Sequence, residues 1–174
     1  MRIINGIHKG RKLNIPEKLP VRPTTDKAKE ALFNILQNRF HFYNKTALDL
    51  CSGSGNIAYE FASRKCKSIT AVDNNIKCIN YIKNTSNELN LNIKTIKSDI
   101  VKYLEKCIEK FDFIFIDPPY NYTKHELLIN LIFKKNIIKK DGILILEHDK
   151  NTIIKNKNLE LRKYGSVHFS IFSF

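Results

Sequence analysis

Four consecutive residues, Asp117-Pro118-Pro119-Tyr120, combine the groups needed for a transfer reaction at an amine attached to an aromatic base. Hydrogen-bond acceptors aimed at the N–H bonds of such an amine favour a pyramidal nitrogen and free its lone pair in the transition state. Asp117 supplies one acceptor and the backbone carbonyl of Pro118 a second, while the prolines hold both in place. Tyr120 offers a ring on which a flipped base can stack. We therefore predict Asp117, Pro118 and Tyr120 as catalytic residues.

A glycine-rich segment lies upstream, between a short apolar run ending near Asp49 and an amphipathic stretch. Its pattern, Gly53-x-Gly55-x-x-Ala58, lets a backbone approach a ligand closely at the positive end of a helix. Dinucleotide-binding enzymes and methyltransferases share this spacing. By itself the segment therefore predicts an adenosyl cofactor without choosing between the two classes.

Carboxylates occur where successive predicted strands end: Asp73, Asp99, Asp117 and Glu147. Asp73 lies about 20 residues beyond Gly55, where a carboxylate commonly binds ribose hydroxyls. A single acid such as Asp99 is also explained as a helix N-cap. The whole series surrounds one crevice and favours a ligand that carries a cation, a ribose diol and amino donors, as S-adenosylmethionine does. The predicted cofactor-binding residues are Asp49, Gly53, Gly55, Asp73 and Asp99. The sulfonium is itself a strong electrophile, so no metal is predicted.

Short apolar runs alternate with amphipathic segments from Lys45 onward, which is typical of a buried parallel sheet built from βαβ units. The predicted strands are TALDL, SITAVD, IKTIKSD, FDFIFID and GILILEH, and the helices between them start near Gly55, Asn75, Asp99 and Lys124. LELRKYG and SVHFSIFSF predict a closing antiparallel pair that turns at Gly165. Ligands of such α/β folds bind outside the carboxyl ends of the strands.

The first 24 residues have a different character from the rest of the chain. Arg2, Arg11 and Lys12 flank a glycine-bounded segment at residues 6–10, which predicts a small basic β-hairpin, and three prolines then keep the chain extended. Thr24 or Thr25 caps the next helix. The predicted apolar face of that helix consists of Ala28, Leu32, Ile35, Leu36 and Phe40. We therefore divide the chain into a basic N-terminal extension, residues 1–24, and a catalytic domain, residues 25–174; the resemblance described below implies that the extension engages RNA.

The charge of the chain favours a polyanionic partner. It contains 30 Lys and Arg against 17 Asp and Glu, for a net charge of +13. A Lys-rich composition of the kind that AT-rich genomes produce would raise the charge as well. The predicted RNA-binding residues are Arg2, Lys9, Arg11, Lys12 and Arg22.

The sequence shows no apolar stretch long enough for a membrane span and no apolar secretion signal at its start, so we predict a cytoplasmic protein without a membrane partner. Its 4 cysteines lack metal-ligand spacing and are predicted to be free thiols.

The motifs resemble those of known enzymes in both type and order. Asp49-Leu-Cys-Ser-Gly-Ser-Gly55, Asp73, Asp99 and Asp117-Pro-Pro-Tyr120 resemble the class I methyltransferases. Other segments resemble the bacterial family that methylates N2 of a guanine in 16S ribosomal RNA: Met1-Arg-Ile-Ile4, Gly10-Arg-Lys-Leu13, Val21-Arg-Pro-Thr-Thr-Asp26, Glu30-Ala-Leu-Phe-Asn-Ile-Leu36 and Lys163-Tyr-Gly-Ser-Val167. Cys51-Ser52 departs from this family, in which an aromatic residue and Ala are more usual.

The resemblance implies a Rossmann-like, seven-stranded, mostly parallel sheet with helices on both faces, an antiparallel last strand and an N-terminal β-hairpin that engages RNA. By position, Gly53 and Gly55 line the cofactor, Asp73 holds its ribose and Asp99 its adenine amine. Asp117, Pro118 and Tyr120 handle the target guanine. The implied substrate is 16S ribosomal RNA within a small-subunit particle, with no obligate protein partner.

Four alternatives remain open at this point. An amino-methyltransferase acting on DNA adenine or cytosine, or on another RNA, fits the same catalytic motif, although a DNA enzyme needs further surface to read base edges. A nicotinamide-dependent oxidoreductase explains the glycines and leaves the catalytic motif without a role. A non-catalytic RNA-binding module predicts damage in the catalytic loop. Glutamine methyltransferases share the fold but typically have Asn where this chain has Asp117.

Overall fold

The computed structural model describes residues 1–21, 24–119, 121–154 and 159–173. Arg22 and Tyr120, both predicted site residues, lie outside this part of the chain. The described helices are α1 (Asp26–Arg39), α2 (Asn56–Ser63), α3 (Ile76–Glu88), α4 (Ile100–Lys106) and α5 (His125–Lys134). The strands are β1 (Thr46–Leu50), β2 (Ser68–Asp73), β3 (Ile93–Lys97), β4 (Phe111–Ile116), β5 (Ile138–His148), β6 (Leu159–Tyr164) and β7 (Val167–Ser173).

All seven strands form one sheet in the order β3-β2-β1-β4-β5-β7-β6. Neighbouring strands from β3 to β5 are parallel, and β7 runs antiparallel to both β5 and β6. The predicted Rossmann-like, mostly parallel fold is therefore confirmed. Strand order reverses beside β1, which pairs with β2 on one side and with β4 on the other. The carboxyl ends of β1 and β4 thus border the crevice in which ligands of such sheets bind.

Apolar side chains cover both faces of the sheet. One core joins α1, α2 and the N-terminal segment to the sheet, and there the rings of Phe61 and Phe113 stack with their centroids 5.2 Å apart. The other core joins α4 and α5 to the opposite face through residues such as Leu104 and Leu128. The sheet is therefore buried on both sides, as the near-continuous apolar strands predict.

Helix α1 differs in detail from its predicted apolar face. Lys29 and Phe33 are fully buried, Ile35 is only partly buried, and Phe40 lies beyond the helix as its C-cap. Lys29 can be buried because its Nζ donates to the Arg2 carbonyl and to Asn56 Oδ1, both at 2.6 Å. Ala28, Leu32 and Leu36 of the predicted face are buried, and the burial of Lys29 was missed because apolar periodicity carries no signal for a polar side chain.

The N-terminal segment docks on α2 rather than standing free. Arg2 and Lys12 form an isolated antiparallel bridge, so the predicted hairpin is not confirmed as a regular pair of strands. Residues 4–8 instead follow α2, where Glu60 and Ser63 accept hydrogen bonds from their backbone N–H groups. At Gly6, where φ is +90°, a Cβ atom would lie 2.0 Å from the Ser63 carbonyl oxygen. Glycine is therefore required at this contact.

Strand β5 is longer than its predicted core, GILILEH. It begins at Ile138, which pairs with Phe111, and a register shift follows before Ile143 pairs with Phe113. Asp141, with φ of +61°, lies within this irregular stretch. None of the helices in the described ranges is long and apolar enough to cross a membrane.

Candidate active site

A cavity of about 460 Å³ lies at the carboxyl edge of the sheet, within the size range of pockets for drug-sized ligands. The ends of β1, β2, β4 and β5 form its floor, and Val21 and Thr24 form part of its wall. Predicted residues that line it are Asp49, Gly53, Asp73, Asp99, Asp117 and Pro118. The fold therefore brings most of the predicted cofactor-binding residues together with two of the predicted catalytic ones.

The glycine loop connects β1 to α2 through two tight hydrogen bonds. Ser52 N–H donates to the Val72 carbonyl at 3.0 Å, and Gly55 N–H donates to the Ser52 carbonyl at 2.7 Å. Gly53 lines the cavity with φ of +52°, a conformation that favours glycine. Gly55 is the N-cap of α2 and is not among the residues that line the cavity; a Cβ atom there would lie 2.9 Å from Ile82 and Tyr59 side-chain atoms. Gly55 thus allows the turn to pack closely against these two side chains, on the side away from the cavity.

Asp73 anchors this loop to the end of β2. One of its carboxylate oxygens accepts from Gly53 N–H and the other from Asn75 N–H, both at 2.8 Å. Each oxygen keeps a second lone pair for a ligand hydroxyl. The carboxylate is therefore held in a fixed orientation at the cavity wall.

Asp99 serves as the N-cap of α4. Its Oδ1 accepts from the backbone N–H groups of Val101 and Lys102 at 3.0 and 3.1 Å. Among the described residues, nothing donates a hydrogen bond to its Oδ2. Asp99 also lines the cavity, so the helix-capping role and a ligand-binding role are compatible in one side chain.

Three carboxyl groups, Asp49, Asp117 and Glu147, form an acid cluster on the side of the sheet that faces α1 and α2. Asp49 and Glu147 are 1% and 5% exposed, whereas Asp117 is partly buried at the cavity wall. Desolvation, together with the charges of Asp73 and Glu147, raises the pKa of Asp49 to about 8. Desolvation raises the pKa of Glu147 to about 7. Desolvation and the charges of Glu147 and Asp49 raise the pKa of Asp117 well above its usual value.

The cavity is acidic although the chain as a whole carries a charge of +13. Five carboxylic residues line it, and none of its described lining residues is Lys, Arg or His. An uncompensated group of acids in a partly desolvated cavity is stabilised by a cationic ligand. S-adenosylmethionine fits these carboxylates, because its sulfonium and ammonium groups are cations and its ribose and adenine offer hydrogen-bond donors.

The structure adds residues that the sequence did not assign to the site. Glu147 was recognised only as a strand-end acid, and Thr24 only as one of two candidate helix caps. Thr25 is the cap, accepting from Ala28 N–H at 3.2 Å, while Thr24 Oγ1 donates to Glu147 Oε2 at 2.7 Å. Tyr122 also lines the cavity, and its buried hydroxyl finds no partner within the described residues. A tyrosine two positions after the catalytic motif was the available signal for this residue.

The predicted RNA-binding side chains lie outside the cavity. Arg2, Lys9, Arg11 and Lys12 are all exposed on the N-terminal segment. Arg2 and Lys12 line a separate shallow pocket, where Arg2 Nε lies 3.8 Å from Asp26 Oδ2. Their role stays a prediction, as does that of Arg22. All four cysteines are free, and only Cys51 is not fully buried.

Comparison with known proteins gives agreement over nearly the whole chain. Ribosomal RNA small subunit methyltransferase D of Buchnera aphidicola (subspecies Acyrthosiphon pisum) is 35% identical over 92% of this chain and 85% of its own length. The Haemophilus influenzae protein of the same name is 29% identical over 94% and 91%.

Solved structures share the fold. A hypothetical protein of Thermus thermophilus superposes with a TM-score of 0.88 at 22% identity, covering 100% of this chain and 99% of its own. The T. thermophilus 16S rRNA N2 methyltransferase RsmC, determined with S-adenosylmethionine and guanosine, gives 0.72 at 16% identity over 86% of this chain and 43% of its own. RsmC thus binds S-adenosylmethionine on the same fold. The family model described as conserved hypothetical protein 95 matches residues 1–173, and the chain belongs to that family and is related to the ribosomal RNA small subunit methyltransferases D.

Proposed function

We propose that this protein transfers a methyl group from S-adenosylmethionine to the exocyclic N2 amine of a guanine in 16S ribosomal RNA. The observation that carries this proposal is the placement of Asp117 and Pro118, at the end of β4, on the wall of the acidic cavity. Among the described residues, none donates a hydrogen bond to the Asp117 carboxylate, so both of its oxygens are available to an amine. The ribosomal RNA methyltransferases that this chain resembles support ribosomal RNA as the target, and RsmC, a 16S rRNA N2 methyltransferase determined with guanosine, supports guanine N2.

Different residues of the chain have different roles in the proposed reaction. S-adenosylmethionine supplies a methyl group on a positively charged sulfur. Asp73 holds the ribose of the cofactor, and Asp99 accepts from its adenine amine. The Asp117 carboxylate and the Pro118 carbonyl accept hydrogen bonds from the two N–H groups of the guanine amine. These hydrogen bonds favour a pyramidal nitrogen, whose lone pair is no longer conjugated with the ring. With the cofactor bound, the amine would form its N–C bond as the S–C bond of the sulfonium breaks and S-adenosylhomocysteine leaves as a neutral thioether. Asp117 is placed to take the surplus proton from the nitrogen.

The two segments of the chain have separate roles in this proposal. Residues 1–24 position the RNA through phosphate contacts of Arg2, Lys9, Arg11, Lys12 and Arg22, and residues 25–174 carry out the transfer. Phosphate contacts orient a protein but carry no sequence information. A single small module also buries only about 600–1,000 Å² against nucleic acid. Selection of one guanine must therefore depend on how the RNA presents it.

Assembled small-subunit particles should be methylated faster than naked 16S RNA, because the particle presents the target base in a shape that the enzyme can flip. The measurement is mass spectrometry of nucleosides after incubation of each substrate with the protein and labelled S-adenosylmethionine. Formation of N2-methylguanosine tests the proposed reaction, and the ratio of the two rates tests the substrate. Methylated adenine or cytosine would refute the assigned base, whereas equal rates would refute only the presentation argument.

Asp73→Ala should weaken S-adenosylmethionine binding roughly tenfold or more, the expected cost of losing a charge-assisted hydrogen bond to the ribose. The substitution also frees Gly53 N–H and so loosens the glycine loop. Calorimetry measures the affinity. Asp141→Asn is the matched control, because it removes one acid from the opposite end of β5. Equal affinity of the Asp73 variant and this control would remove Asp73 from the cofactor site.

Tyr120→Ala should reduce the methylation rate by about 5- to 150-fold, the range given by base–aromatic stacking energies of roughly 1–3 kcal/mol. Tyr120→Phe keeps the ring and should retain most of the activity. Both variants should bind the cofactor normally, because the role proposed for the ring concerns the base and not the cofactor. A Phe variant as slow as the Ala variant would show that the hydroxyl, and not stacking, is what matters.

A further inference from the structure

We propose that Glu147 reads the ring N–H next to the amine that is methylated and thereby restricts the reaction to guanine. This inference rests on the proposed guanine-N2 activity. It is carried by the position of Glu147 beside Asp117, by the hydrogen-bond network that fixes its carboxyl group, and by the pattern of donors on the bases.

Strand register places Glu147 next to the catalytic acid. Ile116 at the end of β4 pairs with Leu146 in the parallel strand β5. Asp117 directly follows the last residue of β4, and Glu147 is the next residue of β5. They therefore lie side by side and project toward the same face of the sheet. Both line the cavity. An aromatic amine held by Asp117 therefore presents its neighbouring ring atom to Glu147.

A buried polar network fixes the orientation of Glu147. Thr24 Oγ1 donates to Glu147 Oε2 at 2.7 Å, and the Thr24 carbonyl accepts from Asn56 Nδ2 at 2.9 Å. Lys29 in turn donates from Nζ to Asn56 Oδ1 at 2.6 Å. All four residues are at least nine-tenths buried. Thr24 is the one hydrogen-bond partner of the Glu147 side chain in the described part of the chain, which leaves Oε1 for a ligand. Thr24 is thus a positioning residue.

The chemistry of the bases explains what an acceptor at this place would select. In guanine, the ring nitrogen N1 next to the 2-amine carries a hydrogen and donates. In adenine and cytosine, the ring nitrogen next to the amine is an acceptor. A carboxylate beside Asp117 therefore matches guanine and opposes the lone pairs of the other two bases. Such reading of the pairing edge is how enzymes recognise a base taken out of its stack.

The test compares two nucleosides that share the reactive amine. Guanosine and 2-aminopurine riboside both carry a 2-amine, but N1 of 2-aminopurine accepts rather than donates. Calorimetry on the full-length protein saturated with S-adenosylhomocysteine gives the affinity ratio for the two probes. Comparing this ratio between variants cancels any effect of the missing O6 atom of 2-aminopurine. The wild-type protein should prefer guanosine by about tenfold or more.

Glu147→Gln should lower this preference at least roughly tenfold, because a glutamine amide can turn its N–H toward N1 of 2-aminopurine. Thr24→Val keeps the shape of the threonine but releases Glu147, and it should lower the preference by a smaller factor. Glu105→Gln, an exposed site on α4, makes the same change of charge and should leave the preference unchanged.

An unchanged preference in the Glu147→Gln variant would overturn this inference and leave the proposed function standing, provided that the wild-type protein forms N2-methylguanosine in particles. A wild-type protein that does not bind guanosine at millimolar concentration, or that binds 2-aminopurine riboside equally well, would also overturn it. Absence of N2-methylguanosine from the particle assay would overturn the proposed function and, with it, this specificity role.

Discussion

Asp117→Ala should slow methyl transfer by about 100- to 1,000-fold, the usual cost of removing one preorganised group that stabilises a transition state. The substitution removes the carboxylate that accepts one amine N–H group and the surplus proton, and it leaves the Pro118 carbonyl as the remaining acceptor. Asp117→Asn keeps one side-chain acceptor without the charge, so its rate should fall between those of the wild-type protein and the Ala variant. Single-turnover methylation of small-subunit particles, at saturating S-adenosylmethionine, measures this order.

Loss of folding should not explain the slow rate. Asp117 shares the acid cluster with Asp49 and Glu147. Desolvation raises the pKa values of all three carboxyls, and the charges of neighbouring acids raise those of Asp49 and Asp117 further. Removing one acid relieves that repulsion, so the melting temperature of the Ala variant should equal or exceed that of the wild-type protein. An Ala variant that methylates at the wild-type rate would contradict the role given to Asp117.

Glu60→Gln should lower the free energy of unfolding by about 3–5 kcal/mol, which is typical when one partner of a buried ionic network is removed. Glu60 is 0% exposed, and its oxygens accept from Ile4 N–H at 2.8 Å, Asn5 N–H at 3.0 Å and Arg64 Nε at 2.9 Å. Lys29 Nζ lies 3.9 Å away. The glutamine NH₂ group would face one of these donors, and the buried cations of Arg64 and Lys29 would lose the one buried carboxylate that they share. Urea denaturation measures the loss.

Glu160→Gln is the matched control for this experiment. Glu160 pairs with Arg39 at 2.7 Å, but its side chain is 32% exposed. Breaking a solvent-exposed pair costs only about 0–1 kcal/mol. Equal losses for the two variants would mean that the contacts of Glu60 do not hold the N-terminal segment in place. Since those contacts involve the backbone of this segment, its RNA-binding role should be tested through its exposed side chains and not by deletion.

Local patterns in the sequence were sufficient to predict the sheet and most of the cavity. Every strand predicted from Lys45 onward is present, because apolar runs bounded by turn residues are local signals. Asp49, Gly53, Asp73 and Asp99 converge because the carboxyl ends of parallel strands share one edge. The helix N-caps at Asp99 and Asn75 are also local, since each binds backbone groups within a few residues.

The parts that could not be predicted depend on contacts between distant residues. Thr24 and Glu147 are separated by 123 positions, and nothing near either residue indicates that they meet. Burial of Lys29 depends on Arg2 and Asn56, each 27 positions away. The docking of the N-terminal segment on α2 is another such contact, and the sequence of the segment gave no sign of it. Strand register and such polar networks exist only in the assembled fold.

Because of the acid cluster, both the stability of the protein and its affinity for the cofactor depend on pH. Asp49 and Glu147 release their protons near pH 4 when the chain is unfolded, but near pH 8 and pH 7 when it is folded. In the absence of the cofactor, folding therefore takes up protons between the unfolded and folded pKa values. The free energy of unfolding falls as the pH rises through this window. Binding of a cationic cofactor favours the ionised acids and expels those protons, so its affinity rises over the same window. The cofactor thus contributes most to the stability of the protein where the folded chain alone retains least.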